Sequence, residues 1–317
     1  MEQKYESLIK TKDLERDEWL EYRRTGIGGS DLSAICGMNK YRSAYEVYLD
    51  KTGKLERPET AGEAAHFGTI LEEIVAREFS RVTGKKVRRK NMILRSKDNG
   101  FMIADLDRMI VVEKAFLECN TASAYLDGAW KDDKIPDAYM LQIQHYMEVT
   151  GFQYCYIACL IGGNKFVWKK VERDNGLIKN IVELEKDFWL EHVLKNIPPD
   201  ISGSGSDSAL LSILYPDSRE NIIRLGSSAD EIIEELNRLK EQAKELDEKI
   251  TGDENLLKSM LGENEAGETD KALVTWKSIT SSRVDSRKLQ SAYPEIYKDC
   301  IKQSSYRKFT VRAKEVQ

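Results

Sequence analysis

Apolar and polar positions along this chain switch between a helical period and a strand period, and the switch points lay out its elements. Between residues 63 and 83, Phe67, Ile70, Leu71, Ile74, Val75 and Phe79 fall on one helical face, and Gly84 ends the run. Shorter helices are predicted over 13–24, 32–36 and 43–51. The first two are separated by Thr25-Gly26-Ile27-Gly28-Gly29-Ser30-Asp31, where glycines permit tight backbone and Ser30 or Asp31 can cap the second helix. Runs of strand character occupy 86–94, 101–106, 108–112 and 115–121. Ile135-Pro136 opens a helix to Thr150, and strands 154–161 and 165–171 are joined through Gly162-Gly163-Asn164. A long amphipathic helix then covers 177–197. This order of helices and strands predicts an α/β core, a mixed central sheet flanked by helices.

Pro198-Pro199 and Ser202-Gly203-Ser204-Gly205-Ser206 read as a linker, which places a core domain at 1–203 and a C-terminal α+β extension at 204–317. In the extension, Ser228-Ala229-Asp230-Glu231 has capping-box spacing, and Ile232, Leu236, Leu239, Ala243, Leu246 and Ile250 repeat at steps of four and three. Gly252 interrupts the pattern before Leu257 and Met260 resume it. A helical arm packing on its own chain or on a neighbour fits this better than an independent zipper. Strands are expected at 272–279 and 306–312, around one or two short helices.

Composition narrows the class. With 317 residues, 41% hydrophobic, the chain has ample core-forming material, so disorder as a whole is excluded. The net charge of −5 is unevenly placed: residues 202–270 hold 7 Lys/Arg against 17 Asp/Glu, and residues 271–317 hold 11 against 4. Five cysteines and three histidines show no zinc spacing. No signal pattern opens the chain and no apolar run approaches the ~20 residues of a membrane helix, so a cytoplasmic protein without membrane contact is expected.

The candidate chemistry sits in two strands. Asp107 follows Met102-Ile103-Ala104-Asp105-Leu106, and Glu118 interrupts Ala115-Phe116-Leu117. An acid in a run that otherwise wants burial is costly unless paired or bound to a cation. Mg²⁺ takes hard oxygen donors and keeps several waters, so Asp107, Glu118 and the Cys119 carbonyl suffice as protein ligands. The competing reading is a pair of rim acids on a hairpin.

Several motifs, in order over roughly residues 10–175, resemble the YqaJ-type viral recombinase exonucleases, relatives of phage lambda exonuclease in the PD-(D/E)xK nuclease superfamily. Trp19-x3-Arg23 followed by Gly26-Ile27-Gly28-Gly29-Ser30-Asp31 is similar to the family's N-terminal motif, whose arginine and serine hold a 5′ phosphate. Gly68-x2-Leu71-Glu72 resembles its helical glutamate, and Asp107 and Glu118 with Cys119 resemble its metal-binding strands. Gln142-x3-Tyr146 resembles the helix motif that steadies the site. The resemblance implies a restriction-endonuclease-like fold and a Mg²⁺-dependent 5′–3′ exonuclease, with Mn²⁺ as a substitute. It implies duplex DNA ends as substrate, a single-strand annealing protein as partner, a trimeric ring, and a bacterial host cytoplasm as location.

One position departs from the pattern. Two residues after the glutamate, where the family has lysine, stands Asn120, which offers an amide but no positive charge. Loss of one electrostatic stabiliser commonly slows such reactions on the order of 10²-fold, so either impaired catalysis or a non-catalytic DNA-end-binding protein fits Asn120. Trp19 is expected as a core aromatic with Arg23 carrying the function, and Tyr146 has the same bland reading. Of Glu72 and Glu73, the spacing from Gly68 selects Glu72 and leaves Glu73 solvated. Gln142 and Gln144 cannot share a helix face. His145 is expected as packing or polar surface, not as a base. Lys85, Lys86, Arg88, Arg89 and Lys90 form a basic cluster suited to a duplex track, and Tyr41, between Lys40 and Arg42, is a candidate wedge at the duplex end.

Overall fold

A computed structural model describes residues 3–55, 62–302 and 304–312. By contact the chain divides into two units, Met1–Leu214 and Tyr215–Gln317. The first unit runs past residue 203 because the helix beyond the Ser/Gly segment returns to it: Leu210 is buried in a cluster with Val47, Tyr48 and Phe188.

In chain order the first unit contains strand β1 (Tyr5–Lys10), helix α1 (Arg16–Arg24), strand β2 (Ile27–Gly28), and helices α2 (Gly29–Ile35), α3 (Ala44–Lys51) and α4 (Glu63–Thr83). Strands β3 (Val87–Arg89), β4 (Met92–Ser96), β5 (Met102–Asp105), β6 (Arg108–Ile110) and β7 (Phe116–Ala122) follow. A 3₁₀ segment (Ala124–Trp130) leads to α5 (Asp137–Thr150), β8 (Tyr154–Ile161), β9 (Lys165–Glu172), α6 (Asn175–Asp187) and α7 (Gly205–Leu214). The expected strand over 86–94 is two strands, because Asn91 takes a positive φ of 47°, which Asn tolerates better than most residues. The expected helix over 177–197 is α6 continued by a π-helical segment, Phe188–Leu194.

The central sheet is mixed and five-stranded, in the order β3-β6-β7-β8-β9, with β7 and β8 parallel and the other pairs antiparallel. A second sheet, β1-β4-β5-β2, adjoins α5. Helix α5 forms the crossover between parallel β7 and β8. Period-two geometry splits the core at β7: Phe116 joins the cluster holding Ile143, Tyr146 and Met147 of α5, while Leu117 joins Val75 and Phe79 of α4. Glu118 and Asn120 therefore share the α5 face with Phe116, and Cys119 packs with the α4 cluster.

The second unit holds α8 (Ser228–Leu261), strands β10 (Ala266–Glu268) and β11 (Leu273–Thr275), and helices α9 (Ser286–Ala292) and α10 (Pro294–Cys300). Helix α8 passes Gly252 without a break, since one glycine costs only about 1 kcal/mol in a helix of this length. Strand β11 is shorter than the expected 272–279 and pairs with β10. The segment 306–312 is not a strand: it has no ladder partner among the described residues, and extended backbone without one is not held. Among the described residues no helix is long and apolar enough to cross a membrane.

Candidate active site

Helices α1, α2, α4 and α5 and strands β5 to β7 enclose a cleft of about 400 Å³, and the sequence-selected side chains Arg23, Ser30, Glu72, Asp107, Glu118, Gln142 and Tyr146 all line it. The glycines of the first motif set its closeness. A Cβ on Gly29 would stand 2.8 Å from both Gln142 Cγ and Tyr146 Cε1, and one on Gly26 would stand 2.8 Å from the Phe101 carbonyl. Only glycine lets α2 lie against α5, which is what brings Ser30 to the wall carrying Gln142.

Asp107 lies just beyond β5, and its Oδ2 accepts the Cys119 N–H at 2.7 Å, which ties it to β7 beside Glu118. Cys119 thus contributes its backbone N–H to the carboxylate, while its half-buried thiol is pushed up in pKa by burial and by Asp107 and Glu118. Glu118 is 5% exposed. Its Oε1 accepts from Gln142 Nε2 at 2.6 Å, and its Oε2 is buried with no hydrogen-bond partner among the described residues. Burial, with Glu72 next, pushes Asp107 up to about 7, and burial together with Asp107 raises Glu118 well above the usual carboxylate range. An orphaned carboxylate oxygen beside a second strained acid fits a hard divalent cation. Among the described residues no three His, Cys, Asp or Glu side chains form a ligand cluster.

Glu72 faces the cleft through an ion pair with Arg108, whose other amino group reaches Glu73 at 3.0 Å. Glu73 is 40% exposed, as expected of the solvated acid of the pair, and is in addition a partner of Arg108, Arg77 and Arg89. Arg108 is 3% exposed, so this clamp joins α4 to β6 under the cleft. Arg23 donates to Ser30 Oγ at 2.9 Å and lies 4.8 Å from the Trp19 ring centroid. Trp19 is not a core residue: it lines the cleft, and its Nε1 donates to Asp105 Oδ2 at 2.9 Å. Sequence reasoning placed it in the core because its apolar body outweighed its polar tip.

Asp105 is a cleft residue that the sequence reading passed over, as is Arg108, while Arg89 was expected only as part of a duplex track. Burial raises the Asp105 carboxyl in spite of the Trp19 hydrogen bond. Its spacing of two from Asp107 is the signal that could have found it. Asn120 does not line the cleft, although it shares a strand face with Glu118, and its Nδ2 is buried with no partner among the described residues. Among the described residues no lysine lines the cleft; its cations are Arg23, Arg89 and Arg108.

The remaining motif residues are structural. His145 is fully buried between Glu185 (2.7 Å) and the Ile103 carbonyl (2.8 Å). Burial pulls its pKa down, but Glu185 outweighs burial and the net shift is upward. It is packing and not polar surface. Gln144 turns away from the cleft, donating to the Glu172 carbonyl and accepting from the Asp174 N–H. Asp31 accepts the Gly28 N–H at 2.9 Å and holds Lys51 at 2.7 Å together with Arg42. Those cations overcome burial and keep its carboxyl far below the usual range, while burial lowers Lys51 to about 8. The basic cluster is dispersed: Arg89 is in the cleft, Lys85 pairs with Glu113, and Lys90 lies over the Tyr5 ring. Tyr41 is 90% exposed.

Residues 18–153 match the YqaJ-like viral recombinase domain. Over 310 residues, 97% of each chain, the sequence is 43% identical to the uncharacterized protein YqaJ of Bacillus subtilis strain 168. The chain belongs to the YqaJ family. Among solved structures, the YqaJ-family chain described here is similar to the alkaline exonuclease LHK-Exo from Laribacter hongkongensis, at 21% identity and a TM-score of 0.47, covering 57% of this chain and 94% of that one. It is also similar to a phage-related exonuclease from Haemophilus somnus 129PT, at 15% identity and a TM-score of 0.39, covering 54% of this chain and 96% of that one.

Proposed function

We propose that this YqaJ-family protein is a Mg²⁺-dependent exonuclease that degrades the 5′ strand at duplex DNA ends, leaving a 3′ single strand for phage-type recombination, and that Asn120 lowers its rate. The observation that carries the reading is the cleft itself, where Asp107 and the half-satisfied Glu118 stand in one wall and the Arg23–Ser30 pair in another. Asp107 and Glu118 would hold the cation, and when bound it supplies charge neutralisation and Lewis acidity toward phosphate and water oxygens. Mn²⁺ satisfies the same oxygen donors.

The chain's own groups do the rest. Gln142 and the Cys119 N–H fix the orientation of the two carboxylates, so that neither must reorganise when phosphate enters. Arg23, oriented by Trp19 and Ser30, presents guanidinium N–H groups of the kind that bind a terminal 5′ phosphate. Glu72 and Glu73 hold Arg108 beneath the cleft, which supplies fixed positive charge beside Asp107. What is missing is a mobile cation on the Glu118 face of β7, because Asn120 stands there. That absence supports a second reading, a DNA-end-binding recombination protein without turnover. Partners under the first reading are an annealing protein that takes the 3′ strand and further copies of this chain in a ring.

Linear duplexes labelled at the 5′ or 3′ strand, with and without a 5′ phosphate, test the proposal when Mg²⁺ is titrated against chelator. Metal-dependent loss of the 5′ strand, abolished by Asp107→Ala and absent on covalently closed circles, is expected. Cleavage of closed circles would replace the end-dependent reading with an endonucleolytic one.

A further inference from the structure

Helix α8 is 34 residues long, about 50 Å, and most of its apolar seam is left in solvent, Leu236 being half-buried: Ile232 is 68% exposed, Leu246 59% and Met260 79%. Its stripe follows the four-three steps of a coiled-coil seam from Ala229 to Met260, broken once by Asp253. A helix with so little packing of its own is stabilised by whatever covers that seam. We propose that the occupant is α8 of a second copy of this chain, lying antiparallel, with the dyad between residues 244 and 245.

Complementarity along the seam selects this partner. The midpoint of Ser228–Leu261 also falls between 244 and 245, so this register overlaps the two helices over their full length. It sets Ala229 against Met260, Ile232 against Leu257, Leu239 against Ile250 and Ala243 against Leu246, so each small residue meets a large one. The flanking charges agree. Antiparallel seams bring like-lettered flanks together, and here Lys240 meets Glu254, twice by symmetry, while on the other flank the polar Gln242 meets Lys249. Asp253 faces Leu236, near an end of the seam.

A parallel, in-register pair satisfies the charges at least as well but fails inside the seam. Asp253 would face its own copy in a core layer, and Ala243 would face Ala243 and leave a void. Glu254 has an intrahelical partner in Lys258, an exposed pair that contributes little and exchanges readily. The inference is independent of the nuclease reading, because no residue of the cleft takes part.

Sedimentation equilibrium of the full chain at tens of micromolar, beside the Leu239→Glu/Leu246→Glu double variant, tests it. Both substitutions fall on exposed positions, so the fold of the first unit is expected to persist, checked by its thermal transition. The wild-type mass should exceed the 36.3 kDa of one chain and fall twofold in the variant. A wild-type mass of 36.3 kDa at 100 µM, or a variant that keeps the wild-type mass, would overturn the proposal. Orientation is read separately in a Cys300→Ser background: Gln242→Cys/Lys249→Cys should form a reducible dimer and Gln242→Cys alone should not. Equal cross-linking of both, or none by Gln242→Cys/Lys249→Cys, rejects the antiparallel seam.

Discussion

Replacing Glu118 by Gln should stabilise the metal-free protein while disabling its cleft. The carboxylate is 5% exposed, one oxygen accepts from Gln142, and the other has no hydrogen-bond partner among the described residues. Burial and the neighbouring Asp107 raise its pKa well above the usual value. In the unfolded chain the same carboxyl ionises normally, near pH 4.3 or so. Below that, both states are protonated and no penalty exists. As the pH climbs toward the raised folded value, the wild-type fold loses stability, because the unfolded state gives up its proton first. Glu118→Gln removes the charge, and the Gln142 amide can turn to keep the hydrogen bond. An unsatisfied buried acceptor costs about 1–3 kcal/mol, more when charged. In a unit of this size each kcal/mol moves Tm by about 2–4 °C, so a rise of about 2–12 °C is expected at pH 8 in chelator. The gap should close near pH 4. Added Mg²⁺ should raise the wild-type Tm and leave that of Glu118→Gln unchanged. Calorimetry in chelator that finds Glu118→Gln no more stable than wild type at pH 8 would refute the claim that this carboxylate is held in waiting for a cation.

Other outcomes rest on the same geometry. His145→Ala leaves the buried Glu185 carboxylate without its 2.7 Å partner and should destabilise the first unit by about 3–5 kcal/mol in urea titration, with Glu185→Leu in addition recovering part of the loss. Asp31→Ala strips the buried Lys51 ammonium of its 2.7 Å partner and should cost a similar ~3–5 kcal/mol by the same measurement. Tyr41→Ala should slow strand removal more than end binding in paired kinetic and gel-shift assays, and unchanged rates would dismiss the wedge role of this 90%-exposed ring.

Much of the cleft was legible because Arg23, Ser30, Glu72, Gln142 and Tyr146 fall in ordered motifs, and because strand-borne acids in apolar runs are costly unless paired or bound to a cation. Asp107 and Glu118 stood out for the second reason, and the glycines around Ser30 marked only tight backbone; that one of them lets α2 lie against α5 is visible in the fold alone. Asp105 did not stand out, because one residue from Leu106 and two from Asp107 it read as the fringe of a single acidic position. Arg108 was invisible as a buried group, since only the fold brings Glu72 and Glu73 under it. Trp19 was misplaced because volume suggests a core, while its use here depends on one hydrogen bond across 86 positions of sequence. In the second unit the alternation at 306–312 was genuine, but a strand needs a neighbour that no local pattern can supply. Helix α8 survived Gly252 because the turns on either side outweigh one unfavourable residue.

The central claim is that this cleft hydrolyses DNA ends and that Asn120 limits it. Its most direct test is the initial rate of 5′-strand loss from a linear duplex in Mg²⁺, measured for the wild-type chain and for Asn120→Lys at matched end occupancy. The account expects a metal-dependent rate in the wild type that rises on the order of 10²-fold with lysine. Tight end binding with no strand loss by either protein in Mg²⁺ or Mn²⁺ would contradict it.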